Sequence, residues 1–409
     1  LSSYTTVLND TFESISRKVY GFQTNADLIR RANPGLAEPL TIAIEIFIPV
    51  DVNTPKDLER PTVDAPQDGF ILKIDGNQLK VPEKINLRRS IDTLSVVDFS
   101  TAFEADAPGF REIFRPFSYK PVELFIGDEL YFSGILINTV PGVQPDRKTM
   151  AVSCYALPSV MADCTPSSAA FPIQFLNLGL QEIATSIATP FGIDIEFNAD
   201  EDTPFESVTC DVGQFALNFL TKLAKQKKLV ISNTTDGKLL IQPSIFSGQP
   251  VALLDEAQPN VISVRPSFKP QQYYSSITGI PPIFLGLEDS AHTVINTHLR
   301  GVIRPFNFVP DDTKEGSVKA AVEAKMGRMF GNLVSYNIKL PEWRDPSGNL
   351  WEPNTIVKVL APDAMIYTAY DFVIRSVNLF KSAKKKETIL NVVMPGSFSG
   401  KIPETLPWD

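Results

Sequence analysis

The chain has 409 residues, 43% of them apolar and 21% charged, with 38 Lys and Arg against 47 Asp and Glu. This is ordinary globular composition, which excludes a disordered or collagen-like chain and leaves room for roughly 2.7 domains. The formal charge of −9 argues against a broad nucleic-acid or anionic-membrane surface, since either needs clustered positive charge. The cysteines Cys154, Cys164 and Cys210 form no C-x-x-C pair, and the histidines are His292 and His298 alone. No disulfide framework, metal site or cofactor is therefore expected, and the thiols read as apolar residues of a protein made in a reducing compartment. The longest uncharged stretch, Cys164 to Gln181, contains two prolines and cannot span a bilayer. LSSYTTVLND lacks a basic n-region and an apolar h-region, so no secretory signal is expected there.

In chain order, residues 1–50 read as a small αβ module. Thr5 to Leu8 predicts a strand, Asn9-Asp10-Thr11 the start of a helix over Phe12–Tyr20, and Asp27 to Ala32 a second helix stopped by Asn33-Pro34-Gly35. Ile42, Ile44, Ile46 and Ile48 alternate with the period of a strand. Residues 51–67 are Pro-rich and charged and predict a linker. Residues 68–165 carry strand signals: a hairpin at 70–81, a strand from Ile91 to Phe99, a second hairpin over 122–140 and a strand at 149–155. Residues 166–248 switch period. Leu176, Leu180, Ile183 and Ile187 mark one helix, and Val212, Phe215, Phe219, Leu220 and Leu223 another. A hairpin turning at Asp236-Gly237 follows. Residues 249–400 return to strands apart from a helix over Val318–Phe330, and residues 401–409 form a tail.

The two strand-rich regions show a weak internal repeat. YKPVELFIGDELYFSGILINTVPG…KTMAVSCYALP parallels EPNTIVKVLAPDAMIYTAYDFVIRSVNLF…KETILNVVMP, each a short strand, a long strand and a final strand bracketed by proline. The fold class expected is mainly β, with two β-barrel domains, an α+β domain between them and the small N-terminal αβ domain.

Two resemblances add to this. Residues 1–50 resemble a LysM domain through Tyr4, Thr5, Val7, Asp10, Thr11, Ile15, Leu28, Asn33, Pro34, Ile48 and Pro49. In secreted proteins that resemblance implies binding of N-acetylglucosamine polymers. The chain carries Leu8-Asn9 where the family usually has Pro-Gly, which weakens the sugar reading, and a module that docks protein is the expectation. Barrel, α+β insertion, barrel resembles the contractile-tail baseplate hubs of Mu-like phages. The likeness is carried by INLRRSIDTLSVVDFSTAF (85–103), LGLQEIATSIATPFGIDIEF…QFALNFLTKLAKQKKLVISNTTDGKLLIQ (178–242) and KAAVEAKMGRMFGNLVSYNIKLPEWRDPSGNLWEPNTIVKVLAP (319–362). The most specific piece is W-R-x-x-x-G-x-L-W-x-P-N. Cys154-Tyr155 stands where relatives often carry Gly-Arg. The resemblance implies a non-enzymatic homotrimer whose six barrels form a ring between a hexameric tail tube and a central spike. DNA would pass through the lumen unbound, and neighbouring baseplate or sheath proteins would pack outside. The location implied is the virion tail baseplate, after synthesis in the host cytoplasm. Two barrels per chain let a threefold ring meet a sixfold tube without mismatch.

Candidate interface residues are Arg115 and Phe117, in the basic-aromatic stretch Phe114 to Lys120, and Trp343, Arg344, Lys384 and Lys385. Trp343 reads evenly as interface anchor or core residue, Trp351 reads first as core, and Lys381 to Lys386 as a solvated hairpin tip. Asp311-Asp312 and Glu201-Asp202 sit in polar loops, without the cleft an acid–base pair needs. Two other readings stay open: the hub of a related contractile device such as an R-type pyocin, and a peptidoglycan hydrolase carrying a LysM targeting module.

Overall fold

The computed structural model describes residues 2–6, 10–20, 26–36, 38, 40, 44–48, 69–79, 84–103, 106, 108–144, 147–168, 173–280, 291–310, 315–383 and 385–409. The linker expected over 51–67, the Leu8-Asn9 pair, Asp311-Asp312 and Lys384 lie outside these residues.

The chain divides into two compact units, Leu1–Gly69 with Glu104–Arg115, and Phe70–Phe103 with Pro116–Asp409. The first holds β1 (Ser2–Thr5), α1 (Phe12–Tyr20), α2 (Ala26–Ala32) and β2 (Glu45–Ile48), and β1 pairs antiparallel with β2. Its core is Phe12, Ile15, Ala26, Ile29, Leu40 and Ile46. The first strand lies three residues earlier than the sequence predicts. The segment Glu104–Arg115 includes a helix that no sequence period announces, α3 (Pro108–Ile113).

The second unit opens with β3 (Phe70–Ile74), β4 (Asn77–Leu79), β5 (Lys84–Ser90), β6 (Val96–Ala102), β7 (Pro121–Ile126), β8 (Glu129–Gln144) and β9 (Arg147–Ala156). The predicted strand Ile91–Phe99 begins instead as a turn over 91–95, between the end of β5 at Ser90 and the start of β6 at Val96. Ser90 donates its hydroxyl to Asp92 at 2.8 Å, and that local bond competes with the ladder. A short helix follows, α4 (Val160–Asp163).

The α+β segment runs through β10 (Gln174–Leu178), α5 (Leu180–Ala188), β11 (Ile195–Phe197), β12 (Phe205–Thr209), α6 (Ala216–Gln226), β13 (Leu229–Asn233) and β14 (Leu239–Pro243). Leu180, Ile183, Ile187, Phe219, Leu220 and Leu223 bury the helical faces in one cluster. Each such side chain contributes about 1.5–3 kcal/mol on burial. Leu176 and Val212, predicted as helical, are exposed, on β10 and in a loop. Asp202, read from sequence as a loop carboxylate, accepts the Leu180 and Gln181 N–H groups at 2.8 Å each and so caps α5 from a distant loop.

The remainder holds β15 (Leu253–Asp255), β16 (Ser263–Phe268), β17 (Ser276–Gly279), β18 (His292–Ile295), β19 (Pro305–Phe308), α7 (Glu315–Leu333), β20 (Val334–Leu340), β21 (Ile356–Ala361), β22 (Ile366–Ser382) and β23 (Lys385–Val393). α7 buries Val318, Val322, Met326, Met329, Phe330 and Leu333, a stripe at helical spacing. Gly327 and Gly331 of α7 leave space that the 396–400 loop fills: a Cβ on Gly327 would stand 2.7 Å from the Gly400 Cα, and one on Gly331 2.6 Å from the Ser397 Cβ.

One 13-stranded sheet runs β16-β20-β23-β22-β5-β6-β9-β8-β7-β3-β4, with β21 on β22 and β15 on β21. Two six-strand modules lie inside it, β5-β6-β9-β8-β7-β3 and β16-β20-β23-β22-β21-β15, built from strands taken in the same chain order. Each neighbouring pair is antiparallel in both, except that β7–β3 is antiparallel where β21–β15 is parallel. The two regions expected as separate barrels therefore share a seam, the antiparallel pairing of β22 with β5.

Candidate assembly interface

The seam is where the two modules meet, and its geometry starts from a bulge. The long strand β22 carries one extra residue against β23 between Ile374 and Ser376. The residue set out of register is Arg375. A bulge re-aims its side chain and sharpens the local twist. Before the bulge β22 pairs with β21, and after it residues Ser376–Ser382 pair with β5.

Arg375 donates to Asp92 through Nε at 3.2 Å and Nη2 at 2.7 Å, and its backbone carbonyl accepts the Ile91 N–H at 2.9 Å. Burial pushes the Asp92 carboxyl up, but the Arg375 bonds and charge, with Ser90 and Arg328, outweigh it and hold the group below its ordinary value. Beneath the seam Ile91, Val230, Ile356, Val373, Val393 and Phe398 form one buried cluster. Arg89 adds a second clamp: it pairs with Glu352 at 2.6 Å and lies 4.6 Å over the Tyr131 ring, while the Tyr131 hydroxyl donates to the Trp351 carbonyl at 2.6 Å.

A cavity of about 500 Å³ opens beside Arg375, bounded by α6, α7 and β19. Lys225, Lys325 and Arg328 line it with Asp92. Burial brings the Arg328 guanidinium down to about 10, with Asp92 opposing the fall and Arg375 adding to it. Lys325 stacks over Phe306 and Phe308 at 5.0 and 5.4 Å.

The W-R-x-x-x-G-x-L-W-x-P-N piece is a structural hairpin. Trp343 is fully buried, 4.6 Å from the Phe70 ring, and its indole N–H donates to the Glu387 carbonyl at 3.2 Å. This corrects the reading of Trp343 as an interface anchor. Arg344 is 12% exposed and reaches Glu129 at 2.9 Å, so it clamps the hairpin to β8 rather than standing free for a partner. Asp345 accepts the Ser347 and Asn349 N–H groups, and Gly348 takes φ 89°, which closes the turn. Trp351 is buried, and Asn354 accepts the Ile245 N–H at 2.7 Å, fixing the end of the α+β segment.

Of the other predicted interface residues, Lys385 pairs with Glu387 at 2.7 Å near the β22–β23 turn. Arg115 is exposed, and Phe117 is 84% exposed with φ 59°. In the N-terminal unit Asp10 is buried, not presented to a ligand. It pairs with Lys18 at 2.6 Å and accepts from the Tyr4 hydroxyl at 3.0 Å. Thr11 caps α1 by accepting the Ser14 N–H at 3.1 Å, while Ser14 Oγ accepts the Thr11 N–H at 3.0 Å. Asn33, half-buried, donates to the Ile29 carbonyl at 2.8 Å at the end of α2, and Pro34, exposed, follows. His298 is half-buried against Phe330 and lies 2.7 Å from the Pro403 carbonyl. Cys154 and Cys210 are buried and free, and burial raises both thiols. Among the described residues no group of three His, Cys, Asp or Glu could hold a metal, and no helix is long and apolar enough to cross a membrane.

The α+β segment carries a family match. Residues 159–243 match the family described as baseplate hub protein gp44-like, second domain. No curated protein matches the chain. The fold is similar to two tail proteins over 81% of the chain. One is the 43 kDa tail protein of prophage MuSo2 from Shewanella oneidensis, 23% identical, TM-score 0.68, with 99% of its length covered. The other is the tail protein from Neisseria meningitidis MC58, 15% identical, TM-score 0.68, 98% covered. The E. coli c3393 protein, described as a type VI secretion component with similarity to the T4 tail proteins gp27 and gp5, matches at 13% identity and TM-score 0.53. That match covers 81% of this chain and 79% of c3393. The gp44-like segment lies between the two six-strand modules, where the sequence places an α+β insertion.

Proposed function

We propose that the chain is the structural baseplate hub of a contractile phage tail, with no catalytic role. The observation that carries this is the doubled six-strand module, joined within one chain at β22–β5 and interrupted by a gp44-like hub domain. Three chains would then supply six similar barrels, and a threefold ring could dock on a hexameric tail tube at one end and a central spike at the other. The net charge of −9 suits a lumen through which DNA passes, because a basic wall would trap it by counterion release. The expected location is the virion baseplate. The domain limits read from sequence are kept: 1–50, linker 51–67, barrels 68–165 and 249–400 around 166–248, and tail 401–409.

The N-terminal module, LysM-like by sequence, would serve as a clip for neighbouring baseplate or sheath proteins. The buried Asp10 and the capping role of Thr11 support a scaffold use of these motif residues. Light scattering tests the hub reading: the purified chain should weigh three times 45.2 kDa, and a monomer at all concentrations would count against it. Chitin and peptidoglycan oligomers should not bind the full chain, and wall hydrolysis dependent on one carboxylate would overturn the non-catalytic reading.

A further inference from the structure

The seam inside the chain has an unfilled counterpart. Asn138 of β8 corresponds to Ser376 of β22, and Ser153 of β9 to Asn391 of β23, because both long strands bulge at the same point of their hairpins. β5 corresponds to β16 in the same way: Leu87 opposes Val97 on β6 as Pro266 opposes Tyr336 on β20. In the second module the far half of the long strand, Ser376–Ser382, is covered by β5. Among the described residues the far half of β8 pairs only with β9, and β16 only with β20.

We propose that β8 of one copy pairs antiparallel with β16 of a neighbouring copy, at the register that β22 and β5 use within the chain. This rests on the hub reading and gives its subunit contact. The register places Val140 opposite Ser267, Pro141 opposite Pro266 and Val143 opposite Val264. The edge chemistry agrees. Ile91 donates to Arg375, so alternate residues of β5, Leu87 among them, turn their backbone groups to β22. Lys269 donates to Leu333, so Pro266, the counterpart of Leu87, turns its ring nitrogen away from β20 and toward the open edge. A proline is tolerated there and blunts the edge against indiscriminate pairing in the free chain. The paired prolines cost the seam one hydrogen-bonded step, so exposed apolar side chains must carry the contact. Val143 is 76% exposed and Val140 52%, with Ile262 and Phe268 open on the other edge. The contact is head-to-tail, which closes a ring instead of stopping at a dimer.

The Val140–Ser267 pair falls at a non-hydrogen-bonded position, where facing Cα atoms lie about 4.5 Å apart. The test is the full chain carrying Val140→Cys and Ser267→Cys, oxidised and run without reductant. Disulfide-linked multimers ending at a trimer are expected, while each single variant stays monomeric on the gel. Arg88→Cys with Asn378→Cys, at the matching place of the internal seam, should give an intrachain bond. Val143→Asp, a change at an exposed site, should weaken assembly by at least about tenfold with unchanged circular dichroism, since it buries an unpaired charge. A trimer by light scattering in which the two introduced thiols stay unlinked overturns the seam and leaves the ring standing. A chain monomeric at every concentration overturns both.

Discussion

Ile137 and Arg375 are the extra residues of two matching bulges, one in each long strand. Each lies one step past a registered pair, Leu136 with Cys154 and Ile374 with Val392. One bulge carries an apolar side chain and the other a guanidinium bound to Asp92. The repeat is thus kept in the backbone, while the side chain differs where the second module meets β5.

The Arg375–Asp92 pair should make the seam acid-sensitive. Asp92 titrates below its ordinary value near 3.8, so the stability it contributes is complete above that value. It is lost as pH falls through the depressed folded value. Arg375→Ala should destabilise the second unit by on the order of 2 kcal/mol near neutral pH. Urea melts at pH 7 and at pH 3 should show the gap between parent and variant narrowing in acid.

Trp343→Ala should cost about 3–5 kcal/mol, as large buried aromatics do. Loss of the indole also removes its packing on Phe70. Thermal melts of the purified chain check this, and an unchanged melting temperature with weakened assembly would restore Trp343 to an interface role.

Much of the second unit was legible in the sequence. Residues 249–400 return to strands as expected, β20 to β23 among them, and the short-long-final repeat is β7-β8-β9 against β21-β22-β23. What escaped was set by distant partners. Nothing local in Leu176 says that it sits on a strand paired with Ser207, and nothing in Trp343 tells a core indole from an interface one. The Asp92 turn is local chemistry, Ser90 and Asp92 bonding to each other among residues that otherwise form strands. The seam itself joins residues almost 300 positions apart, such as Asn378 and Arg88, and has no signature in either segment.

Gly327→Ala should destabilise the chain by about 1–3 kcal/mol despite the better helix propensity of alanine, because the added methyl meets backbone of the 396–400 loop. Hydrogen exchange should quicken in α7 and in that loop together.

Thr11→Ala should weaken the N-terminal unit by about 1 kcal/mol through loss of the α1 cap. Exchange should rise in α1 while the amides of the second unit hold their rates.

The central claim is that two modules per chain act as neighbours in one ring. A cryo-EM map of the assembled protein tests it most directly. The account predicts threefold symmetry overall, with the six modules related by rotations near 60° and β8 of each chain beside β16 of the next. A closed assembly in which the two modules of a chain lie at unrelated radii or angles would contradict it.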